Sequence, residues 1–114
     1  MANLPEEIVT RVFSLQRQML VLMDEAGAAE LALFERVGET EATLPELGEL
    51  QNIRERADGY YSRFSTVLRR IFDSQPRANS ANLELLARTI SEVQVNAEAM
   101  RASIEEVKRN WNLL

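Results

Sequence analysis

The chain has 114 residues, of which 46% are hydrophobic and 27% are charged, and it carries a formal net charge of -5. It contains neither His nor Cys, so it cannot build Ser-His-Asp or Cys-His catalytic sites, thiolate metal sites or the di-iron sites that need histidine. The acidic balance argues against general nucleic-acid binding, whose affinity depends on cations that meet phosphates. The length predicts a single domain over residues 1–114.

No segment has the pattern of a targeting signal or a membrane span. The N-terminal residues include neither a basic segment nor an apolar run, which argues against a signal peptide. The longest uninterrupted apolar run is Met19 to Met23, far shorter than the roughly 20 residues of a spanning helix. We therefore expect a cytoplasmic protein with no membrane span.

The first predicted helix covers residues 4–37. Asn3 is a candidate N-cap, Pro5 suits the first turn, and Glu6 stands at the capping-box position. Gly38 suits the left-handed residue that closes a helix. Between these marks, apolar residues recur at alternating intervals of three and four, which predicts a buried helical stripe. The stripe consists of Ile8, Val12, Leu15, Met19, Leu22, Ala26, Ala29 and Leu33.

The second predicted helix covers residues 44–73, and Thr43-Leu44-Pro45-Glu46 repeats the start signal of the first. Arg54 falls on the apolar stripe and breaks its heptad, so we expect the buried register to shift towards Ile53. Gly59 is predicted on the outer face, at a cost of about 1 kcal/mol relative to Ala. The stripe consists of Leu47, Leu50, Ala57, Tyr61, Phe64, Leu68 and Ile71.

A polar loop from Asp73 to Ser80 precedes the third predicted helix, which covers residues 81–113. Ser80 or Asn82 is the candidate cap. The apolar stripe of this helix keeps the 3-4 spacing throughout, which is an a/d heptad pattern over more than four heptads. Its members are Leu83, Leu86, Ile90, Val93, Ala97, Met100, Ile104, Val107, Trp111 and Leu114.

Three helices of nearly equal length with short connections favour an up-down-up arrangement. The sequence therefore predicts an all-α fold, an elongated antiparallel three-helix bundle that is coiled-coil-like. No β-pattern competes with it, and no linker is long enough to divide the chain into domains.

The first helix carries more apolar side chains than its stripe accounts for. Phe13, Leu20 and Phe34 are separated by multiples of seven, so they form one line beside the stripe, and Met23 lies close to it. We interpret these four residues as a candidate interaction face, for a homodimer or for a partner helix. The alternative is that helix one is central and that its neighbours cover these residues. Gly27 marks either a close helix crossing, a bend or a tolerated glycine.

Charge is distributed unevenly along the chain. Acidic residues dominate from Asp24 to Glu49, and arginines dominate from Leu50 to Arg77. The candidate anion-contact stripe consists of Arg56, Arg63, Arg69 and Arg70. It suits phosphate, an acidic protein segment or an anionic membrane, and the alternative is a solvated face that keeps the bundle soluble.

The leading hypothesis is a non-catalytic protein–protein interaction module, an adaptor, assembly or regulatory factor that associates with itself or with another helical protein. One alternative is a small chaperone or escort that holds a partner helix in a hydrophobic groove. Another is an anionic-surface binder that uses the arginine stripe. We expect no enzyme activity, no cofactor, no metal and no nucleic-acid partner, since neither an EF-hand spacing nor a glycine-rich phosphate loop is present.

Overall fold

The computed structural model describes residues 4–114, and three α-helices make up most of that range. They are α1 (Glu6–Arg36), α2 (Leu44–Asp73) and α3 (Ser80–Asn110), and no strand occurs in these residues. The molecule measures 56 × 19 × 17 Å, which is the shape expected of helices about 45 Å long laid side by side. The predicted all-α, elongated three-helix bundle is confirmed.

Side-chain contacts fix the relative directions of α1 and α2. Gln16, in the first half of α1, donates its Nε2 to the carbonyl oxygen of Tyr61 in the second half of α2. Arg54, in the first half of α2, binds Glu30 in the second half of α1. The two helices therefore run antiparallel.

The same reasoning orients α3. Arg56 Nη2 donates to Asn96 Oδ1 over 2.6 Å, and Arg63 Nη1 lies 2.8 Å from Glu92 Oε2. As the chain advances along α2, its contacts move back along α3, so these two helices are also antiparallel. The bundle therefore runs up, down and up.

The core is one continuous cluster that receives side chains from all three helices. The apolar stripe predicted for α1 is buried from Val12 to Leu33. The buried residues from α2 and α3 follow the same intervals of three and four, except that both Val67 and Leu68 of α2 are buried. From α2 they are Leu50, Ile53, Ala57, Tyr60, Phe64, Val67, Leu68 and Ile71, and from α3 they are Leu86, Ile90, Val93, Ala97, Met100, Ile104 and Val107.

The break in the α2 stripe is resolved as predicted. Ile53 is fully buried, whereas Arg54 is half-buried and turns its guanidinium to Glu30. The shifted register also buries Tyr60 and leaves Tyr61 half-buried. The change of register keeps a charged group out of the core, where an unpaired ion would be strongly unfavourable.

The prediction that Leu114 belongs to the α3 stripe is wrong, because 76% of this residue is exposed. α3 ends at Asn110, and Asn112 has a positive φ of 56°. The N–H of Leu113 then donates back to the carbonyl of Lys108 over 2.8 Å, which is the bond of a Schellman motif. The last residue therefore leaves the helical line, while Trp111 still packs partly on the core.

The first connection is closed by Gly38 as predicted. This residue has a φ of 88°, and its N–H donates to the carbonyl of Leu33. Glycine adopts this left-handed conformation without the steric penalty that a Cβ imposes. At the start of α1, the candidate cap Asn3 lies outside the described residues, and Pro5 directly precedes the first helical residue.

Thr43 does not act as the predicted helix cap. Its φ and ψ are -91° and -20°, which is already helical, and its side chain makes no cap hydrogen bond. The fully buried hydroxyl instead donates to the carbonyl of Gly38 over 2.7 Å and accepts from the N–H of Thr40 over 2.8 Å. The Thr43 hydroxyl therefore stabilises the α1–α2 connection through hydrogen bonds to two of its residues, Gly38 and Thr40.

The cap of α3 is Asn79, rather than Ser80 or Asn82. Asn79 has extended backbone geometry, and its side-chain oxygen accepts from the N–H groups of Ala81 and Asn82 at 2.7 and 3.4 Å. This is the usual N-cap arrangement. Ser80 is consequently the first helical residue of α3.

Two glycines should respond in opposite directions to the same substitution. At Gly38 and at Gly59, an added Cβ would meet nothing within 4 Å, so backbone conformation alone decides the outcome. We expect Gly38→Ala to lower the free energy of unfolding by about 1–2 kcal/mol, because its φ is positive. Gly59→Ala should raise it by up to about 1 kcal/mol through helix propensity. Urea unfolding followed by circular dichroism measures both, and equal shifts would contradict this account.

Thr43→Val should lower the free energy of unfolding by about 1–3 kcal/mol. The substitution keeps the side-chain shape but removes a buried hydroxyl, which leaves the Gly38 carbonyl without its side-chain donor and the Thr40 N–H without its side-chain acceptor. Thr10→Val on the exposed surface of α1 is the matched control, with an expected change within about 0.5 kcal/mol. The same urea titration compares them, and a Thr43→Val change no larger than the control would remove the role assigned to this hydroxyl.

Candidate interaction surface

Three of the four residues predicted as an interaction face lie on the surface of α1. Phe13, Leu20 and Phe34 are 57%, 49% and 54% exposed. Met23 differs, because it is half-buried and packs against the core. Helices α2 and α3 therefore leave the line of Phe13, Leu20 and Phe34 uncovered.

At one end of this line, α1 and α2 form an open groove of about 590 Å³. Phe34 and Leu31 line it from α1, and Leu44 and Leu47 line it from α2. Glu39 in the connection lies at its edge. We call this region the Phe34 end. No residue of α3 lines it, so its apolar walls belong to the α1–α2 hairpin alone.

A second groove, of about 330 Å³, lies at the opposite end of the same two helices. Its apolar walls are Phe13 from α1 with Leu68 and Phe72 from α2, and Arg69 lies at its edge. We call this region the Phe13 end. Leu20 lies on the α1 surface between the two ends.

The exposed phenylalanines and leucines of α1 and α2 line the two grooves or, for Leu20, lie between them, whereas the exposed Val21 and Val37 line neither groove. We call these phenylalanines and leucines the apolar face, and we define it as Phe13, Leu20, Leu31, Phe34, Leu44 and Phe72. α3 is different, because Val95 is the only large hydrophobic residue within that helix that is exposed. Its 3-4 stripe is narrow enough to be covered by its two neighbours.

Gln16 lies beneath the Phe13 end and was not identified from the sequence. It is buried, and its Nε2 donates to the Tyr61 carbonyl over 3.1 Å and to Ser65 Oγ over 2.9 Å. These bonds satisfy a polar group that burial would otherwise destabilise. The sequence signal that could have indicated it is its position, since Gln16 stands between Leu15 and Met19 of the predicted stripe and so borders that stripe on the helix surface.

Gly27 lines the groove at the Phe34 end, beside an ion pair that bridges α1 and α2 and lines the same groove. Arg54 Nε is 2.9 Å from Glu30 Oε1, and its Nη2 is 3.3 Å from Oε2. A Cβ added to Gly27 would meet Arg54 Cδ at 3.6 Å, an ordinary van der Waals distance. The neighbour of Gly27 is thus a side-chain stem, and the glycine does not mark a close backbone crossing within the chain.

Two of the four arginines in the candidate stripe are engaged with α3. Arg56 binds Asn96, and Arg63 pairs with Glu92 while its guanidinium lies 5.5 Å from the centre of the Tyr60 ring. A cation over an aromatic ring is a further stabilising contact. These two side chains face the α2–α3 side of the bundle.

Arg69 and Arg70 are exposed, and neither side chain has a hydrogen bond or ion pair within residues 4–114. Arg69 lines the Phe13 end, next to Phe72. The predicted stripe is therefore divided into an engaged pair, Arg56 and Arg63, and an uncommitted pair at the end of α2.

The described residues contain no group of three or more Asp and Glu side chains placed to hold a metal ion. Within that same range, every buried side-chain nitrogen or oxygen has a hydrogen-bond partner. None of the helices described is long and apolar enough to cross a membrane. Comparison with protein-family models, with curated proteins and with solved structures finds no match.

Proposed function

We propose that this protein is a non-catalytic interaction module whose apolar face binds a helical surface. It acts as an adaptor, assembly or regulatory factor, and the partner's apolar side chains complete the burial that α1 and α2 leave unfinished. The observation that carries the proposal is the concentration of exposed phenylalanine and leucine on one side of the hairpin. By contrast, Val95 is the only large hydrophobic residue within α3 that is exposed.

The physical basis is the cost of leaving this face in water. Fully burying a Leu or Phe side chain is worth about 1.5–3 kcal/mol, and contiguous exposed apolar patches on small proteins mark interaction sites. A helix of the partner that lies over an α1–α2 groove packs on these two helices in the way that α3 packs on them from the other side. The two grooves offer pockets for large side chains at both ends of such a partner.

Leu20→Glu should abolish association while preserving the fold. Leu20 is half-exposed in the middle of the apolar face, so a charge there opposes burial against a partner without entering the core. Two copies with different affinity tags are co-expressed, one is captured, and the second copy and other bound proteins are quantified by mass spectrometry. We expect at least a tenfold loss of bound protein, with an unchanged helical circular dichroism spectrum.

Val95→Glu is the matched control, because it places the same charge at an exposed aliphatic residue of α3. It should retain what the wild type binds. Equal losses for both variants, or no bound protein with the wild type, would overturn the proposal that the apolar face is an interaction surface.

A further inference from the structure

The centre line of the apolar face is symmetric about its own midpoint. Phe13, Leu20, Gly27 and Phe34 follow one another at intervals of seven residues, or about 10.5 Å along α1. The midpoint falls between Met23 and Asp24. A copy of this line laid down in the reverse direction therefore places Leu20 opposite Gly27 and Phe13 opposite Phe34.

We propose that the occupant of the apolar face is a second copy of this chain, reversed end to end. The two-fold axis crosses α1 at the level of Met23 and Asp24, perpendicular to the helices. Each Leu20 then packs on the partner's Gly27, and each Phe13 meets the partner's Phe34. This inference rests on the proposed function, because it names the partner of the same surface.

Shape favours the contact between Leu20 and Gly27. Leu20 projects from α1 as a half-exposed side chain, whereas Gly27 has no side chain and only the Arg54 stem beside it. Glycine allows a neighbouring group to approach the backbone closely. A two-fold relation makes the same contact twice, which is how closed dimers use one patch on both subunits.

Charge selects the reversed direction over the alternative in which both copies point the same way. The Phe13 end carries Arg69, which has no ionic partner within residues 4–114, and the Phe34 end carries Glu39 at its edge. Reversal brings Arg69 of each copy towards the acidic end of the other. A same-direction dimer would instead juxtapose like charges at both ends, which suppresses association.

Distances between spin labels on the two copies distinguish these arrangements. Single cysteines are introduced as Val21→Cys, Ala28→Cys and Ser14→Cys, at exposed positions on one side of α1 in a chain without native cysteine. In the reversed dimer, their separations along the helix axis are about 8, 14 and 29 Å, since each residue from the midpoint adds about 3 Å. The measured distance should therefore increase in the order Val21, Ala28, Ser14.

Three equal distances would overturn the reversed arrangement while leaving self-association, and with it the proposed function, in place. A wild-type chain that sediments at 13.0 kDa across micromolar concentrations would reject the second copy as occupant. In that case the proposed function holds only if another protein is captured and lost in Leu20→Glu. The two proposals thus fail separately.

Gly27→Ala tests the contact at Leu20, with Gly59→Ala as its control. Within one chain the new methyl group at position 27 has ordinary space, and both glycines lie inside helices. In the reversed dimer, however, the methyl group at position 27 occupies the place of the partner's Leu20. Sedimentation equilibrium should show a dissociation constant raised at least tenfold for Gly27→Ala and within twofold of wild type for Gly59→Ala. Equal dissociation constants for the two variants would contradict the proposed contact between Leu20 and Gly27.

Discussion

The structure depends on one constraint: three long helices enclose a core that is narrow across its whole length. The bundle is 56 Å long but only 19 and 17 Å across, so each helix contacts two neighbours and keeps a side in water. Burial is limited to a stripe that repeats at intervals of three and four residues. An apolar residue outside this stripe either packs partly on the core, as Met23 does, or stays exposed, as Leu20 does.

This limit explains why α1 differs from α3. The stripe of α3 contains nearly all the large apolar residues of that helix, and its neighbours cover it. α1 has a second line of apolar side chains beside its stripe, and no fourth helix in residues 4–114 covers that line. Phe13, Leu20 and Phe34 are therefore exposed because a bundle of three helices has no further helix to cover them.

Polar contacts at the edge of an otherwise apolar core determine how α1 and α2 are placed along each other. Gln16 and the Arg54–Glu30 pair join α1 to α2 at two separate levels, which fixes how far one helix is displaced along the other. The ion pair is partly exposed, so its contribution to stability is at most about 1 kcal/mol. The ion pair matters more for the register of α1 against α2, because two apolar heptad stripes alone can also pack after one helix shifts by seven residues.

Periodicity and helix punctuation were sufficient to predict the fold. The 3-4 spacing predicts the buried stripe of α1 from Val12 to Leu33 and most of the stripes of α2 and α3, and Gly38 marks the end of α1 correctly. The shift from Arg54 to Ile53 could also be predicted, since a charge is costly in the core. These features depend on local sequence or on a single physical rule, which is why they were accessible without knowledge of neighbouring helices.

The details that were missed depend on what lies opposite in space. Thr43 matched a capping pattern, but its hydroxyl donates a hydrogen bond to the Gly38 carbonyl instead of accepting one from the first turn of α2. Met23 matched the exposed line of α1 but packs on the core. The division of the arginines follows from Asn96 and Glu92 on α3, which engage Arg56 and Arg63. No spacing within α2 encodes those partners.

The buried hydroxyl of Thr43 makes the two connections of the bundle unequal in how much length variation they allow. The α1–α2 connection is closed around this group by bonds to residues 38 and 40, so an inserted residue would break a buried network. Both connections expose residues, 39–42 in the first and 75–77 in the second, but residues 74–79 include no buried polar side chain comparable to Thr43. Lengthening an exposed loop has only a small entropic cost. A fused domain or an affinity handle is therefore best placed between α2 and α3, where it leaves the alignment of the α1–α2 hairpin unchanged.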